Sequence, residues 1–278
     1  MAQAQLQERI LVGGTEGTGK TYAWLTIARA LPNVKFYVID PDDGTRRVWY
    51  SEFPDVTNIE YYFAHRWFTK DFETYKKGPT AIPIVDGSGR KGLYRSGVAD
   101  AWKLIKPKLK PGDWVIVEHL HLIWNSVQDS FVSETFDKEA GNYYLDLRKQ
   151  KVSGQKVSTD GFANWNVINA LHNNDFIIDL CFDSPAHVFM TTSTSLVSKD
   201  AKEDADIVAF YGESRIRFEG QKHNVFRVQT KLIFRSSGGK DDRKYIVNTF
   251  QKDRGREWLK DEELSDFYYQ YLVAIAGW

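Results

Sequence analysis

A glycine-rich loop near the start of the chain has the residue types and spacing of a phosphate-binding site. Residues 14–21, GTEGTGKT, fit the pattern G-x-x-x-x-G-K-[S/T] at every fixed position. Glycines let the backbone wrap around phosphates with its N–H groups inward, a lysine brings charge to the β and γ phosphates, and the next hydroxyl can hold Mg²⁺. The predicted nucleotide-binding residues are Gly14, Thr15, Glu16, Gly17, Thr18, Gly19, Lys20 and Thr21.

Two acids follow short apolar segments at places that suit phosphate chemistry. Glu118 ends the run DWVIVE, and Asp42 follows the run KFYVID. Mg²⁺ prefers oxygen ligands, so Thr21 and Glu118 are the predicted magnesium residues. A carboxylate beside the loop can orient an attacking water and take up its proton, which makes Asp42 a candidate catalytic residue and leaves Asp43 as its competitor.

A parallel sheet would bring these residues to one edge. Strand patterns occur in five short apolar segments: RILVGG (9–14), VKFYVID (34–40), IEYYFAH (59–65), DWVIVE (113–118) and AHVFMTTS (186–193). A helical pattern from Lys20 to Leu31 separates the first two, and strand, loop, helix and strand in this order form a βαβ unit with parallel strands. The predicted fold class is α/β, with a mostly parallel central sheet flanked by helices.

The other segments complete the predicted domain. Helices are predicted at 98–109, 162–182 and 260–276 and in RWFTKDFETYKK, whereas 78–97 is predicted to be a loop. The segment 125–160 has no assignable pattern. NVFRVQTKLIFR (224–235) and RKYIVNTFQ (243–251) predict two antiparallel strands joined by a flexible hairpin. We expect one domain over residues 1–278, with 222–278 as an antiparallel C-terminal extension.

The order of these segments resembles that of compact RecA-like P-loop ATPases of bacteriophage type, including those grouped with single-strand annealing and recombination proteins. The resemblance is carried by GTEGTGKT, FYVIDPDDGT, DWVIVEHLHLIW, HVFMTTST, FEGQKHNVF and QKDRGR, in that order. It implies a RecA-like fold, ATP and Mg²⁺ as cofactors, and ATP hydrolysis.

The resemblance also implies roles for single residues. Asp42 falls on the position of the catalytic carboxylate, and Lys20 and Glu118 belong to the same catalytic set. Thr191 or Thr192 falls on the polar sensor at a strand end, with Thr192 as the first candidate. Such proteins assemble as rings or filaments, in which cations from a neighbouring subunit stabilise the transferring phosphoryl group. The matching candidates are Lys222, Lys252 and Arg254.

The distribution of charge suggests single-stranded DNA as a partner. The whole chain has 37 Lys and Arg against 37 Asp and Glu, so its net charge indicates neither nucleic acid nor membrane. Residues 213–257 nevertheless hold twelve basic and six acidic residues, a local excess of six positive charges. Strand alternation predicts that Arg227, Gln229, Lys231 and Ile233 share one partly cationic face, which would follow phosphates.

Three other functions remain open from the sequence. A nucleotide-gated assembly or packaging factor with a protein partner is suggested because Glu118 and Asp42 are less usual choices that would slow hydrolysis. A small-molecule kinase would need a basic lid, for which the loop 87–95 offers Arg90, Lys91 and Arg95. A GTPase is suggested by Asp86-x-x-Gly89, but the chain lacks an Asn-Lys-x-Asp guanine motif.

The remaining features concern the compartment. The single cysteine, Cys181, lies in the apolar run FIIDLCF and is predicted to be a buried core thiol, as suits a reducing environment. The first residues lack the apolar segment of a signal peptide, and no apolar run reaches the ~18 residues of a membrane helix. We expect a cytoplasmic protein of a prokaryotic or phage-infected cell, without a membrane partner.

Overall fold

The computed structural model describes residues 7–66, 81–87, 89–153, 161–197, 215–238, 244–252 and 261–278. The strands are β1 (Arg9–Gly13), β2 (Phe36–Asp40), β3 (Ile59–Arg66), β4 (Ile82–Ile84), β5 (Leu93–Gly97), β6 (Trp114–Val117), β7 (His187–Thr192), β8 (Thr194–Leu196), β9 (Ile216–Phe218), β10 (Thr230–Ser237) and β11 (Lys244–Lys252). The α-helices are α1 (Lys20–Ala30), α2 (Gly44–Glu52), α3 (Val98–Ile105), α4 (Leu120–Phe136), α5 (Ala140–Val152) and α6 (Gly161–His172).

Nine strands form one central sheet in the order β11-β10-β1-β7-β6-β2-β3-β5-β4. The seven inner strands, from β10 to β5, pair in parallel, whereas β11 and β4 pair antiparallel at the two edges. β8 follows β7 directly and pairs antiparallel with β9 in a separate ribbon. This arrangement confirms the predicted fold class, including the antiparallel hairpin near the C-terminus.

Side chains from the two faces of the sheet enter two apolar layers. Alternation along β2 sends Phe36 and Val38 into the layer with α1, and Tyr37 and Ile39 into the layer with α3, α4 and α6. All five residues of β2 and all six of β7 are buried, as expected for parallel strands covered on both faces. The carboxyl ends of β1, β2, β6 and β7 therefore meet at one edge of a rigid scaffold.

Several segments differ from the sequence predictions. The predicted loop 78–97 contains the short strands β4 and β5, which were not recognised; β5 pairs with β3 and β4 pairs with β5, and this pairing stabilises them. Within the segment 125–160, which has no assignable pattern, residues 125–136 continue α4 and residues 140–152 form α5. Of the final helix predicted at 260–276, the structure forms only a π-helical stretch at Tyr268–Val273 among the described residues. The predicted helix in RWFTKDFETYKK lies almost entirely outside the described residues.

The strand β10 corrects one prediction about DNA. It begins at Thr230, so Arg227 and Gln229 precede it, and it lies inside the sheet between β1 and β11. Ile233 is buried in one apolar layer and Phe234 in the other. The predicted cationic face is therefore interrupted: Arg227 and Gln229 lie before the strand, Lys231 is partly buried, and Ile233 is buried against an apolar layer.

Two further predictions can be compared with the described residues. Cys181 is a buried free thiol, as predicted. Among the described residues, no helix combines the length and the apolar character that crossing a membrane requires.

Candidate functional site

The glycine-rich loop joins the end of β1 to the first turn of α1. Gly17 and Gly19 have φ angles of 70° and 87°, in the left-handed region that side chains disfavour. A Cβ on Gly19 would lie 2.5 Å from Cγ of Tyr245, so a close approach also requires glycine there. The Thr18 hydroxyl donates to the carbonyl of Thr15 at 2.9 Å. The loop is thus a tight turn that leads into the positive end of the α1 dipole.

Lys20 lies under this loop and is buried, with 7% of its surface exposed. Its Nζ donates to the carbonyls of Gly14 at 2.8 Å and Thr15 at 2.7 Å. Burial lowers the pKa of Lys20, and the nearby carboxylates of Glu118, Glu16 and Asp42 oppose that shift, Glu118 most strongly. An ammonium has three N–H donors, so one remains beyond these two bonds among the described residues.

Glu118 follows β6 and is completely buried. The indole Nε1 of Trp24 donates to its Oε1 at 2.6 Å, and the Thr191 hydroxyl donates to its Oε2. Trp24 lies four residues after Lys20 on α1, so both side chains lie on the same face of that helix. The carboxylate is therefore fixed beside Lys20 by one donor on each oxygen.

Asp40 organises the turn that follows β2, a role that the sequence did not reveal. It is completely buried, and its carboxylate accepts the backbone N–H groups of Asp42 and Asp43, each at 3.1 Å, and of Thr45 at 3.0 Å. The Tyr61 hydroxyl donates to it at 2.9 Å. Burial raises the pKa of Asp40, and the neighbouring Asp42 adds to that shift. This carboxyl fixes the positions of the next two acids.

Asp42 points toward the loop after β6. Its Oδ1 accepts the backbone N–H of Gly44 at 2.9 Å, and its Oδ2 lies 3.2 Å from Nε2 of His119. Its charge also acts on the Lys20 ammonium. Asp42 therefore belongs to the group of residues around the phosphate loop.

Asp43 is engaged elsewhere. Its carboxylate forms an ion pair with Arg46 and accepts the Tyr61 hydroxyl at 2.8 Å. Its φ of 64° turns the chain into α2. Of the two candidate acids, the structure brings Asp42 and not Asp43 to His119, while the catalytic role of either one stays a prediction.

The two threonines at the end of β7 have different surroundings. Thr191 donates to Glu118 and accepts the backbone N–H of His119 at 3.0 Å. Thr192 donates to the carbonyl of Glu219 at 2.9 Å and lies 3.4 Å from Nδ1 of His121. Thr191 is thus the residue joined to the buried acid, and the predicted sensor Thr192 lies against the turn that follows β9.

His119 and His121 were not predicted as site residues. The His121 ring accepts the backbone N–H of Ser193 at 3.3 Å, and burial lowers its pKa to about 4. This histidine is therefore neutral at pH 7. A sequence signal existed, because His119 follows Glu118 directly and His121 lies two residues further on, at the end of a strand.

The predicted trans-acting cations are only partly described. Lys222 is exposed in the segment after β9. The backbone of Lys252 pairs with Lys231 at the end of β11, and its side chain lies outside the described residues. Arg254 lies outside them entirely.

The residues that suggested a GTPase or a kinase lie near β4 and β5, at the end of the strand order farther from β1. Asp86 closes a turn by accepting the N–H of Gly89 on its carbonyl at 2.9 Å, and its carboxylate accepts the N–H of Arg90 at 3.0 Å. The Arg90 guanidinium lies 4.4 Å from the ring centroids of both Trp49 and Tyr50. Because β5 is five positions from β1, at ~4.8 Å per strand these strands are roughly 24 Å apart.

Comparison with known proteins finds only distant structural likenesses. Neither a protein-family model nor a curated protein sequence matches this chain. Solved structures that it resembles include the flagellar accessory protein FlaH from Methanocaldococcus jannaschii, at 12% identity and a TM-score of 0.30 over 88% of this chain and 78% of that one. Another is a solved ATPase domain, at 10% identity and a TM-score of 0.33 over 87% of this chain and 76% of that one. Likenesses this distant carry no functional argument.

The class of the protein follows from its own sheet and loop. A mostly parallel sheet, with a phosphate-loop motif between β1 and α1 and acids after β2 and β6, makes this an α/β protein with a P-loop. The donor set beside the loop consists of carboxylate and hydroxyl oxygens, the ligands that suit Mg²⁺. The residues present therefore fit a magnesium nucleotide.

Proposed function

We propose that this chain is a Mg²⁺-dependent ATPase of the RecA-like class that acts on single-stranded DNA in phage recombination, annealing or repair, in the cytoplasm of the host cell. The observation that carries the ATPase part is the convergence of Lys20, Glu118 and Asp42 at one edge of the sheet. Lys20 and Glu118 are buried and fixed by hydrogen bonds, and both acids act on the Lys20 ammonium.

Nucleotide binding is assigned to the loop and the start of α1. The backbone N–H groups of residues 14–21 and the Lys20 ammonium hold the β and γ phosphates. Thr21 and Glu118 would support the magnesium ion, Thr21 through its hydroxyl and Glu118 through lone pairs not used by Trp24 and Thr191. When bound, the ion neutralises charge that develops on the phosphate oxygens.

Hydrolysis is assigned to Asp42, with Thr192 as a polar contact near the γ phosphate. Asp42 orients a water whose oxygen bonds to the γ phosphorus as the bond to the bridging oxygen of ADP breaks. The water proton passes to the Asp42 carboxylate. General-base assistance of this kind typically contributes ~10²–10⁴-fold to the rate.

Self-association would complete the site in a ring or a filament. In that assembly Lys222, Lys252 or Arg254 of one subunit would reach the nucleotide of its neighbour and stabilise the transferring phosphoryl group. The exposure of Lys222 is compatible with this role.

The DNA part is supported by the excess of six positive charges in residues 213–257. We expect wild-type protein to hydrolyse ATP only with Mg²⁺, Lys20→Ala to be inactive, and a poly-dT oligonucleotide to increase the rate. Retention of the oligonucleotide should fall steeply with salt. Unchanged hydrolysis together with no retention at low salt would remove the DNA partner from the proposal.

A second candidate function is a nucleotide-gated assembly or packaging factor with a protein partner. The observation that favours it is that each oxygen of the buried Glu118 already accepts a hydrogen bond, which would slow metal-assisted turnover. Slow hydrolysis, nucleotide-dependent growth of oligomers in light scattering and no effect of DNA would favour this function over the first.

A further inference from the structure

His119 occupies a constrained position between the two acids of the site. It precedes the first residue of α4 with a φ of 51°, in the left-handed region that non-glycine residues seldom adopt. Its backbone N–H donates to the hydroxyl of Thr191, which in turn donates to Glu118. The backbone of His119 is thereby tied to the buried acid through one threonine.

The imidazole ring extends from this position to the acid after the neighbouring strand. Its Nε2 lies 3.2 Å from Oδ2 of Asp42, while Oδ1 of Asp42 accepts the N–H of Gly44. A carboxylate only accepts hydrogen bonds, so an N–H at Nε2 is the form of the ring that would interact favourably with Oδ2 at this distance. Each oxygen of Asp42 is therefore held from a different side, although the Asp42 side chain is 38% exposed.

We propose that His119 is a positioning residue that holds the Asp42 carboxylate in the orientation needed to activate water. This inference rests on the proposed ATPase function, since it assigns His119 a role in that reaction. β2 and β6 are neighbours in the sheet, and the N–H of Glu118, just after β6, donates to the carbonyl of Ile39 in β2 at 3.0 Å. This pairing brings together the loop that holds Asp42 and the loop that holds His119. Besides the imidazole, the contacts that orient this partly exposed carboxylate among the described residues are the N–H of Gly44 and the neighbouring Asp40 carboxyl.

The first test separates positioning from nucleotide binding. His119→Ala is expected to lower kcat about 10-fold and leave KM for ATP within about 2-fold, because a small misplacement of a catalytic group affects the reaction and not the phosphate contacts. His119→Gln keeps an N–H donor at similar reach and should recover part of kcat. His223→Ala, which removes an exposed histidine outside the site, is the matched control, and urea unfolding checks that each variant is folded.

A double-mutant cycle tests whether His119 acts through Asp42. If it does, adding His119→Ala to Asp42→Ala should change kcat by less than about 2-fold, because residues that act as a unit are not additive. The same loss in both backgrounds would overturn the proposal. So would a rise in kcat on His119→Ala, since that result would mean that the contact holds Asp42 away from the water.

A measurement without ATP distinguishes failure of this inference from failure of the proposed function. In full-length protein with ¹⁵N-labelled histidine, Asp42→Asn should shift the Nε2 resonance of His119 and leave that of His223 unchanged. An unchanged His119 resonance would refute the contact. A shifted resonance in a protein that does not hydrolyse ATP would establish the contact and refute both the ATPase function and the positioning role.

Discussion

The hydrogen bond between Trp24 and Glu118 should make Trp24→Phe unusually destabilising. The substitution removes the indole N–H that bonds Oε1 of this completely buried carboxylate at 2.6 Å. Hydrogen bonds to charged groups contribute about 1.5–3 kcal/mol to stability, since the acceptor is otherwise left without its donor. The smaller ring adds a packing loss of about 1–2 kcal/mol, so the expected loss is about 2.5–5 kcal/mol.

The chain contains a matched control for the packing part. Trp114 is also completely buried and belongs to the same apolar layer as Trp24. Among the described residues its indole N–H has no hydrogen-bond partner, so Trp114→Phe changes packing without breaking such a bond. Trp24→Phe should therefore lose at least about 1.5 kcal/mol more than Trp114→Phe.

Urea unfolding at pH 7 and 25 °C measures this difference. The free energy of unfolding is compared among wild type, Trp24→Phe and Trp114→Phe, provided that the denaturant slope m is the same for all three. Equal losses for the two variants would refute the reasoning, because they would show that the Trp24 bond adds nothing beyond the packing of its ring.

Three further predictions concern the acids, the buried histidines and the loop. Asp42→Asn should lower kcat for ATP about 100-fold, whereas Asp43→Asn should keep most of the activity and lose at most about 1 kcal/mol of stability, as seen by steady-state kinetics and urea unfolding. Burial lowers the pKa of His172 to about 4 in the folded state, against about 6.5 when unfolded, so the unfolded state binds more protons between these values. The free energy of unfolding is therefore highest above pH 6.5 and decreases toward pH 4. Between pH 7.5 and pH 5, His172→Gln should lose about 2 kcal/mol less of this free energy than wild type, as measured by urea unfolding at both pH values. An equal loss in the two proteins would contradict the burial of His172 in the neutral form. Gly19→Ala should cost about 1–3 kcal/mol and weaken binding of a fluorescent ATP analogue, because it adds a Cβ at a φ of 87° and 2.5 Å from the Tyr245 ring.

The parts of the fold that the sequence predicts correctly are those with local signals. Eight consecutive residues, 14–21, specify the phosphate loop through glycine geometry, a lysine and a hydroxyl. Continuous apolar runs identify β1, β2, β3, β6 and β7, because parallel strands buried on both faces are apolar throughout. The strands β4 and β5 were missed because glycine and proline weaken their local pattern, and their stability comes from the pairing of β5 with β3 and of β4 with β5.

The surroundings of neighbouring candidates were decided by tertiary structure. Asp42 and Asp43 are adjacent in sequence, yet one faces His119 and the other pairs with Arg46. Thr191 and Thr192 differ in the same way, because successive residues of a strand point to opposite faces of the sheet. Composition cannot separate two adjacent residues of the same type.

The sequence by itself determined the phosphate loop and the α/β class, since both depend on residues close together in the chain. Only the tertiary structure decided which groups surround that loop. Trp24 and Glu118 are 94 residues apart and Thr191 and Glu118 are 73 apart, and these contacts exist because β7 lies between β1 and β6. Likewise, the contact of His119 with Asp42 depends on the adjacency of β2 and β6. Strand order and register are set by the packing of the whole sheet, and no local stretch of sequence specifies them.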